Sequence, residues 1–108
     1  MNTVEFFYER VRINGNEVIQ KKDVKILKCE LSDVVYFRYN SHRFCAYDLK
    51  SGLLIYDNAK RLSELIEKVN GLKDRVLKIR NEKYYIKLVE KHNQDIKRYE
   101  EEYNEWVY

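Results

Sequence analysis

Three features of the sequence predict an α+β fold: an antiparallel β-meander followed by a covering helix and a long or bent C-terminal helix. Residues 1–57 are rich in β-branched and aromatic residues that alternate with polar ones, the period of a half-buried strand. Residues 58–108 space their apolar residues by threes and fours, the period of a helix buried along one side. Proline is absent and glycine occurs only at positions 15, 52 and 71, so the chain has few places to turn and no linker. A chain of 108 residues suits a single domain built on one core.

The strands come first. Val4, Phe6 and Tyr8 alternate with polar residues, and Val11 and Ile13 continue in the opposite phase, which predicts a bulge near Glu9–Arg10. Asn14-Gly15 supplies the positive φ angles of a tight hairpin turn. Val18-Ile19, Val24, Ile26 and then Leu27, Cys29 and Leu31 at period two read as the return strand and its continuation. Val34 to Tyr39 form a dense β-branched and aromatic run, Asn40-Ser41-His42 a turn, and Phe44 to Leu49 the next strand. Ser51-Gly52 marks another turn before Leu53–Tyr56, giving four to six strands in all.

The helices follow. Asp57 or Asn58 is placed to cap a helix over 59–69, whose Leu62, Leu65, Ile66 and Val69 form one apolar stripe. Asn70-Gly71 suits a left-handed helix end. Leu72, Val76 and Ile79 differ in phase from Val89, His92, Ile96, Tyr99, Tyr103 and Trp106, so a break is expected near Asn81–Lys83. The second set alternates spacings of four and three, the pattern of a seam between helices and of a homodimer through the C-terminal helix. A competing reading makes Val76–Ile79 and Tyr84–Leu88 a hairpin, because short apolar runs do not separate helix from strand.

Composition excludes several classes of protein. An aromatic content of 14% with abundant aliphatic residues is that of a folding chain, not a disordered one. No apolar run reaches the roughly 20 residues of a membrane span, and MNTVEFFYER has no signal-peptide character. Two cysteines, Cys29 and Cys45, are too few for a disulfide scaffold, which points to a cytoplasmic location. The net charge of +3 hides an asymmetry: residues 21–98 are basic, and YEEEYNEWVY holds four glutamates and no base. Such a layout suits an acidic partner, a polyanion or a second copy, or simply a soluble surface.

Catalytic and metal signatures are missing. Cys29, His42, Cys45 and His92 lack the close cysteine pairs of a zinc site, and the cysteines fit equally well as small apolar residues. Cys45 with His42 lacks a feature that would lower a thiol pKa. Acidic residues sit beside bases at helical spacings, as Glu64 and Lys68 do, and three isolated glycines make no phosphate loop. The sequence therefore predicts no cofactor, no metal and no enzymatic activity.

Two binding readings remain. Tyr36, Arg38, Arg43 and Tyr47 mix rings with guanidinium groups on neighbouring strands, and Lys73, Arg75, Lys78, Arg80 and Lys83 form a basic stretch. Together they suit single-stranded nucleic acid, with bases stacked on the sheet and phosphates on the helix. The other reading starts from ten tyrosines, more polar-tipped rings than a core of this size accommodates. Exposed tyrosine, arginine and tryptophan dominate protein interfaces, which selects Tyr36, Arg38, Arg43, Tyr47, Tyr99, Tyr103 and Trp106 as contacts for a protein partner.

Residues 35–69, VYFRYNSHRFCAYDLKSGLLIYDNAKRLSELIEKV, form a short meander ending in a helix. In this, and in Lys-, Asn-, Tyr- and Ile-rich usage without proline, the chain resembles small accessory proteins of phages and mobile elements, among them anti-CRISPR proteins. The resemblance implies a small, cytosolic, non-enzymatic inhibitor that occludes a nuclease or ribonucleoprotein, and it carries over no functional residue. The basic body departs from the acidic DNA-mimic type, which redirects the expectation toward an acidic protein surface or a guide-RNA region.

Overall fold

The computed structural model describes the backbone of residues 3–41 and 43–107, and the side chains of 14–17, 23–38, 40–41 and 43–102. Five antiparallel strands lie side by side in chain order: β1 (Thr3–Ile13), β2 (Asn16–Ile26), β3 (Val34–Asn40), β4 (Arg43–Asp48) and β5 (Leu54–Ala59). Three helices follow, α1 (Leu62–Gly71), α2 (Lys73–Arg80) and α3 (Tyr84–Val107). The fold is the α+β meander that the residue patterns predict.

Local chemistry explains most of the boundaries. Ile13 pairs with Asn16 across a two-residue loop in which Asn14 and Gly15 take φ of 51° and 82°, the demand of a mirror-image hairpin turn. That turn sets the hairpin's register from its closed end, so pairing runs unshifted from Glu5 to Ile13. The expected bulge at Glu9–Arg10 does not form, and the one irregularity lies between Thr3 and Glu5. β2 ends at Ile26, and Leu27 N–H closes the ladder on Val34 O at 2.9 Å in the same register. Leu27, Cys29 and Leu31 therefore belong to an irregular connection, not to a strand. They still face the core, which is why their alternation imitates one.

The helical half departs from expectation at both ends of α1. β5 continues to Ala59 with Asn58 at φ 69°, so neither Asp57 nor Asn58 caps the helix. Arg61 holds the N-cap position without a side-chain bond, and Glu64 Oε1 instead accepts Lys60 N–H at 3.1 Å. Gly71 ends α1 without a left-handed φ, because α2 begins at once: Leu72 N–H bonds back to Lys68 O and Val69 O, and the chain passes from helix to helix. The predicted break does occur, at 81–83, where Asn81 Nδ2 and N–H both return to Leu77 O. The competing hairpin over 76–88 is excluded, since both of its arms are helical.

Both faces of the sheet are covered. Consecutive residues Val34 and Val35 point to opposite sides, and each is 0% exposed. Val34, Ala46 and Ala59 pack with Leu65 and Val69 of α1, with Val76 of α2, and with Leu27 and Leu31. Val24, Val35 and Cys45 are buried on the other side. With α1 and α2 committed to the first face, α3, which packs against β1 and β2, is the element left to cover the second.

Gly52 in the β4–β5 turn combines a φ of 73° with contact to α3: a Cβ there would lie 2.3 Å from His92 Nδ1. Gly15 shares the positive φ but has nothing within 4 Å. Gly15→Ala is therefore expected to cost only backbone strain, about 1 kcal/mol. Gly52→Ala should lose clearly more, read as the difference between their urea unfolding midpoints at constant slope.

Candidate functional site

The expected aromatic and arginine surface on the sheet is divided between two covered faces. Tyr36 packs against the core beside Phe44, with ring centroids 6.4 Å apart. Arg38 is on the same side, its guanidinium 5.7 Å from the Phe44 centroid and its N–H groups donating to Asn40 O and Ser41 O. Alternation puts Arg43 and Tyr47 on the opposite side. There Tyr47 stacks on Phe37 at 5.7 Å and 4°. These four residues therefore form no common platform.

The rest of the predicted contacts fare differently. Val89, His92, Ile96 and Tyr99 are half-buried within the single chain, on a helix that packs against β1 and β2. Arg98 places its guanidinium 5.1 Å from the Tyr99 centroid. The side chains of Tyr103 and Trp106 lie outside the described residues. Among the described tyrosines, Tyr36, Tyr47, Tyr56, Tyr85 and Tyr99 are half-buried, and Tyr84 is exposed. Five of the six described tyrosines are thus partly covered within the chain.

The basic stretch is also split. Lys73 pairs with Glu30 at 3.6 Å, and Arg80 turns inward with its side chain 15% exposed. Arg75, Lys78 and Lys83 are exposed and, among the described residues, take part in no ion pair. A single phosphate-tracking row of five does not exist.

Arg80 leads to the most ordered polar cluster of the described residues. Asp48, the last residue of β4, is 2% exposed. Its Oδ1 accepts Arg80 Nε at 3.0 Å and Nη2 at 2.8 Å. Its Oδ2 accepts Ser51 N–H at 3.0 Å, Ser51 Oγ–H at 2.6 Å and Tyr85 Oη–H at 2.5 Å. Arg80 Nη2 also donates to Ser32 O at 2.7 Å and Asp33 O at 3.3 Å, and Ser51 Oγ accepts Leu53 N–H. Burial works to raise the Asp48 pKa, but the bonds from Ser51, Tyr85 and Arg80 outweigh it and hold the carboxyl below its ordinary value. Burial, and then the adjoining carboxylate, push the Tyr85 phenol up to about 12.

Sequence reading missed Asp48, Ser51 and Tyr85 as a group. Asp48-x-x-Ser51-Gly52 is the spacing at which an aspartate accepts from the backbone of its own turn, so that half of the cluster was detectable. Arg80 and Tyr85 are 32 and 37 residues away, and nothing local announces them.

Beside this cluster opens a cavity of about 300 Å³. Leu53, Leu54 and Ile55 form one wall, and Leu72, Val76 and Ile79 the other, with Arg75 also lining it and Asp48, Arg80 and Tyr85 at the polar end. Leu54 is 51% exposed. A second, more open hollow, lined by Tyr56, Glu67, Lys68 and Gly71, shares Leu72 with the first. The cavity is mainly apolar with a few convergent polar groups, the composition of a binding site.

Other chemistry is sparse among the described residues. No three His, Cys, Asp or Glu side chains gather as metal ligands, and no helix is long and apolar enough to cross a membrane. The Cys29 thiol, donating to Leu31 O, is pushed up by burial, and Cys45 is buried, so neither is an activated nucleophile. His42 lies outside the described residues. No known family, curated protein or solved structure matches this chain.

Two predictions follow from the cluster's burial. Asp48→Ala leaves Arg80 without its counter-ion in a half-buried position and should cost about 3–5 kcal/mol in denaturant unfolding. Asp33→Asn, which removes only the exposed pair to Lys50, should stay within about 1 kcal/mol.

The pH dependence has a defined sign at each end. The lowered pKa of Asp48 contributes stability that is full above the unfolded value of 3.8 and is lost as pH falls through the folded one. The raised pKa of Tyr85 contributes stability that is full below 10 and is lost as pH rises toward about 12. Asp48→Asn should flatten the acid limb and Tyr85→Phe the alkaline limb of a stability-versus-pH curve.

Proposed function

We propose that this chain is a non-catalytic, cytoplasmic protein-binding module that docks a partner at the cavity between β5 and α2. Such a role fits an inhibitor of the kind phages and mobile elements encode against a nuclease or ribonucleoprotein. The observation that carries the reading is the apolar cavity with half-exposed Leu54 and the cation Arg75 in its lining. Anchor pockets of this make-up, apolar inside and charged outside, are where interface energy concentrates. The neighbouring carboxylate supports binding over catalysis: Asp48 already accepts five hydrogen-bonding contacts, and abstracting a proton would mean dismantling them.

The test is comparative capture. The full chain, immobilised in a lysate of its source cells, should retain a discrete protein species that Leu54→Asp loses while keeping the wild-type melting temperature. A retained set that is indifferent to Leu54→Asp would reject the cavity as the docking site. A gel shift with single-stranded RNA that weakens steeply with salt, and that Lys78→Glu abolishes, would instead establish the nucleic-acid reading.

A further inference from the structure

We infer that the cavity between β5 and α2 is also a binding site for a small, uncharged, largely hydrocarbon molecule of about ten to twelve non-hydrogen atoms. This goes beyond the docking reading, because it needs no protein partner. Size sets the first limit. An aliphatic cavity of about 150 Å³ holds one benzene molecule. This one has about 300 Å³, room for two fused rings. Enclosure sets the second. Leu53 and Ile55 on one side, and Leu72, Val76 and Ile79 on the other, are all at least half-buried, so the walls are held by the chain's own packing. Leu54 and Arg75 are exposed and mark the mouth.

The occupant's lack of charge follows from the polar end. Asp48, Arg80 and Tyr85 line it, but they are bonded to one another: Asp48 Oδ1 accepts Arg80 Nε and Nη2, and Oδ2 accepts the Tyr85 hydroxyl. Carboxylate and guanidinium cancel inside the fold. An ion entering the cavity therefore gives up its water and meets no unmatched counter-charge. Arg75 does not supply one, because it is exposed, with Asp74 beside it in the chain, and its charge stays hydrated. Water in the cavity is weakly held for the same reason. A buried water needs about two to four polar partners, and groups already bonded to one another offer few. Replacing loosely held water along aliphatic walls favours a hydrocarbon.

Three naphthalene derivatives of similar size test the proposal on the full chain: naphthalenemethanol, which is neutral, anionic naphthoate and cationic naphthylmethylammonium. In calorimetric titrations the alcohol should bind with a Kd from about 10 µM to 1 mM, the range open to ligands of this size. Its binding should show a negative heat-capacity change, the mark of buried apolar surface. Both ions should bind at least about tenfold more weakly. The bound alcohol should shift the NMR methyl signals of Leu53, Leu72 and Val76, and Leu54→Asp should weaken it at least about tenfold. Should Leu54→Asp fail to fold, the methyl shifts decide alone. Either ion binding as tightly as the alcohol would overturn the uncharged class. No binding by any of the three, or methyl shifts confined to residues outside the cavity, would overturn the site. Capture of a protein partner that depends on Leu54 is a separate result and survives both failures.

Discussion

Burial of the Asp48 carboxylate is the constraint on which the arrangement of the helices depends. An ion of this size pays several kcal/mol on leaving water, and only excellent geometry with every lone pair engaged offsets that. At 2% exposure Asp48 meets the condition with donors from three places: the turn that follows it, the last residue of α2 and the second residue of α3. Arg80 Nη2 in turn also donates to carbonyls of the connection between β2 and β3. Four chain segments thus converge on one carboxylate. The exposed pairs, Lys50–Asp33, Lys73–Glu30 and Arg98–Asp95, sit in water and position little, each contributing no more than about 1 kcal/mol.

What was legible in the sequence divides along the same line between local and distant causes. Asn14-Gly15 and Ser51-Gly52 announce their turns because the positive φ each needs is a property of the residues themselves. The break at 81–83 shows in the apolar phase, since each helix buries its own stripe. Leu27, Cys29 and Leu31 misled because burial alternation is a consequence of facing a core, and an irregular connection can face a core as well as a strand does. Gly71 misled for a related reason: a left-handed cap is needed where a helix ends in a loop, not where another helix starts at the next residue but one. The Asp48 cluster was half visible, in Ser51, and half invisible, in Arg80 and Tyr85, because only the folded chain brings the latter near.

The tyrosines give the sharpest lesson about site prediction from composition. Their number implied rings left over for a partner, on the argument that each buried hydroxyl needs an acceptor. A sheet covered on both faces by helices has a long half-buried perimeter, where a ring can lie on apolar neighbours with its hydroxyl at the solvent edge. Tyr36, Tyr47 and Tyr56 are half-buried on the sheet, and Tyr85 finds its acceptor in Asp48. Among the described tyrosines, architecture therefore accounts for all but Tyr84. Among the described residues the exposed large apolar side chains are spread over the fold, from Ile26 to Ile86, and Leu54 is the one that lines the cavity between β5 and α2.

That gap is held open by the same interaction that organises the helices. Arg80 and Tyr85 line the cavity's polar end while bonded to Asp48, so the end of α2 and the start of α3 are fixed relative to β4 and its turn. α2 cannot slide toward β5 to bury Leu54 without stretching a buried ion pair, which opposes closure more strongly than half a leucine's worth of apolar area favours it. An open apolar cavity is thereby preserved in the unliganded chain. On the proposed docking reading, a partner that fills it meets walls already in place and loses little affinity to rearrangement, because the neighbouring buried charge fixes them.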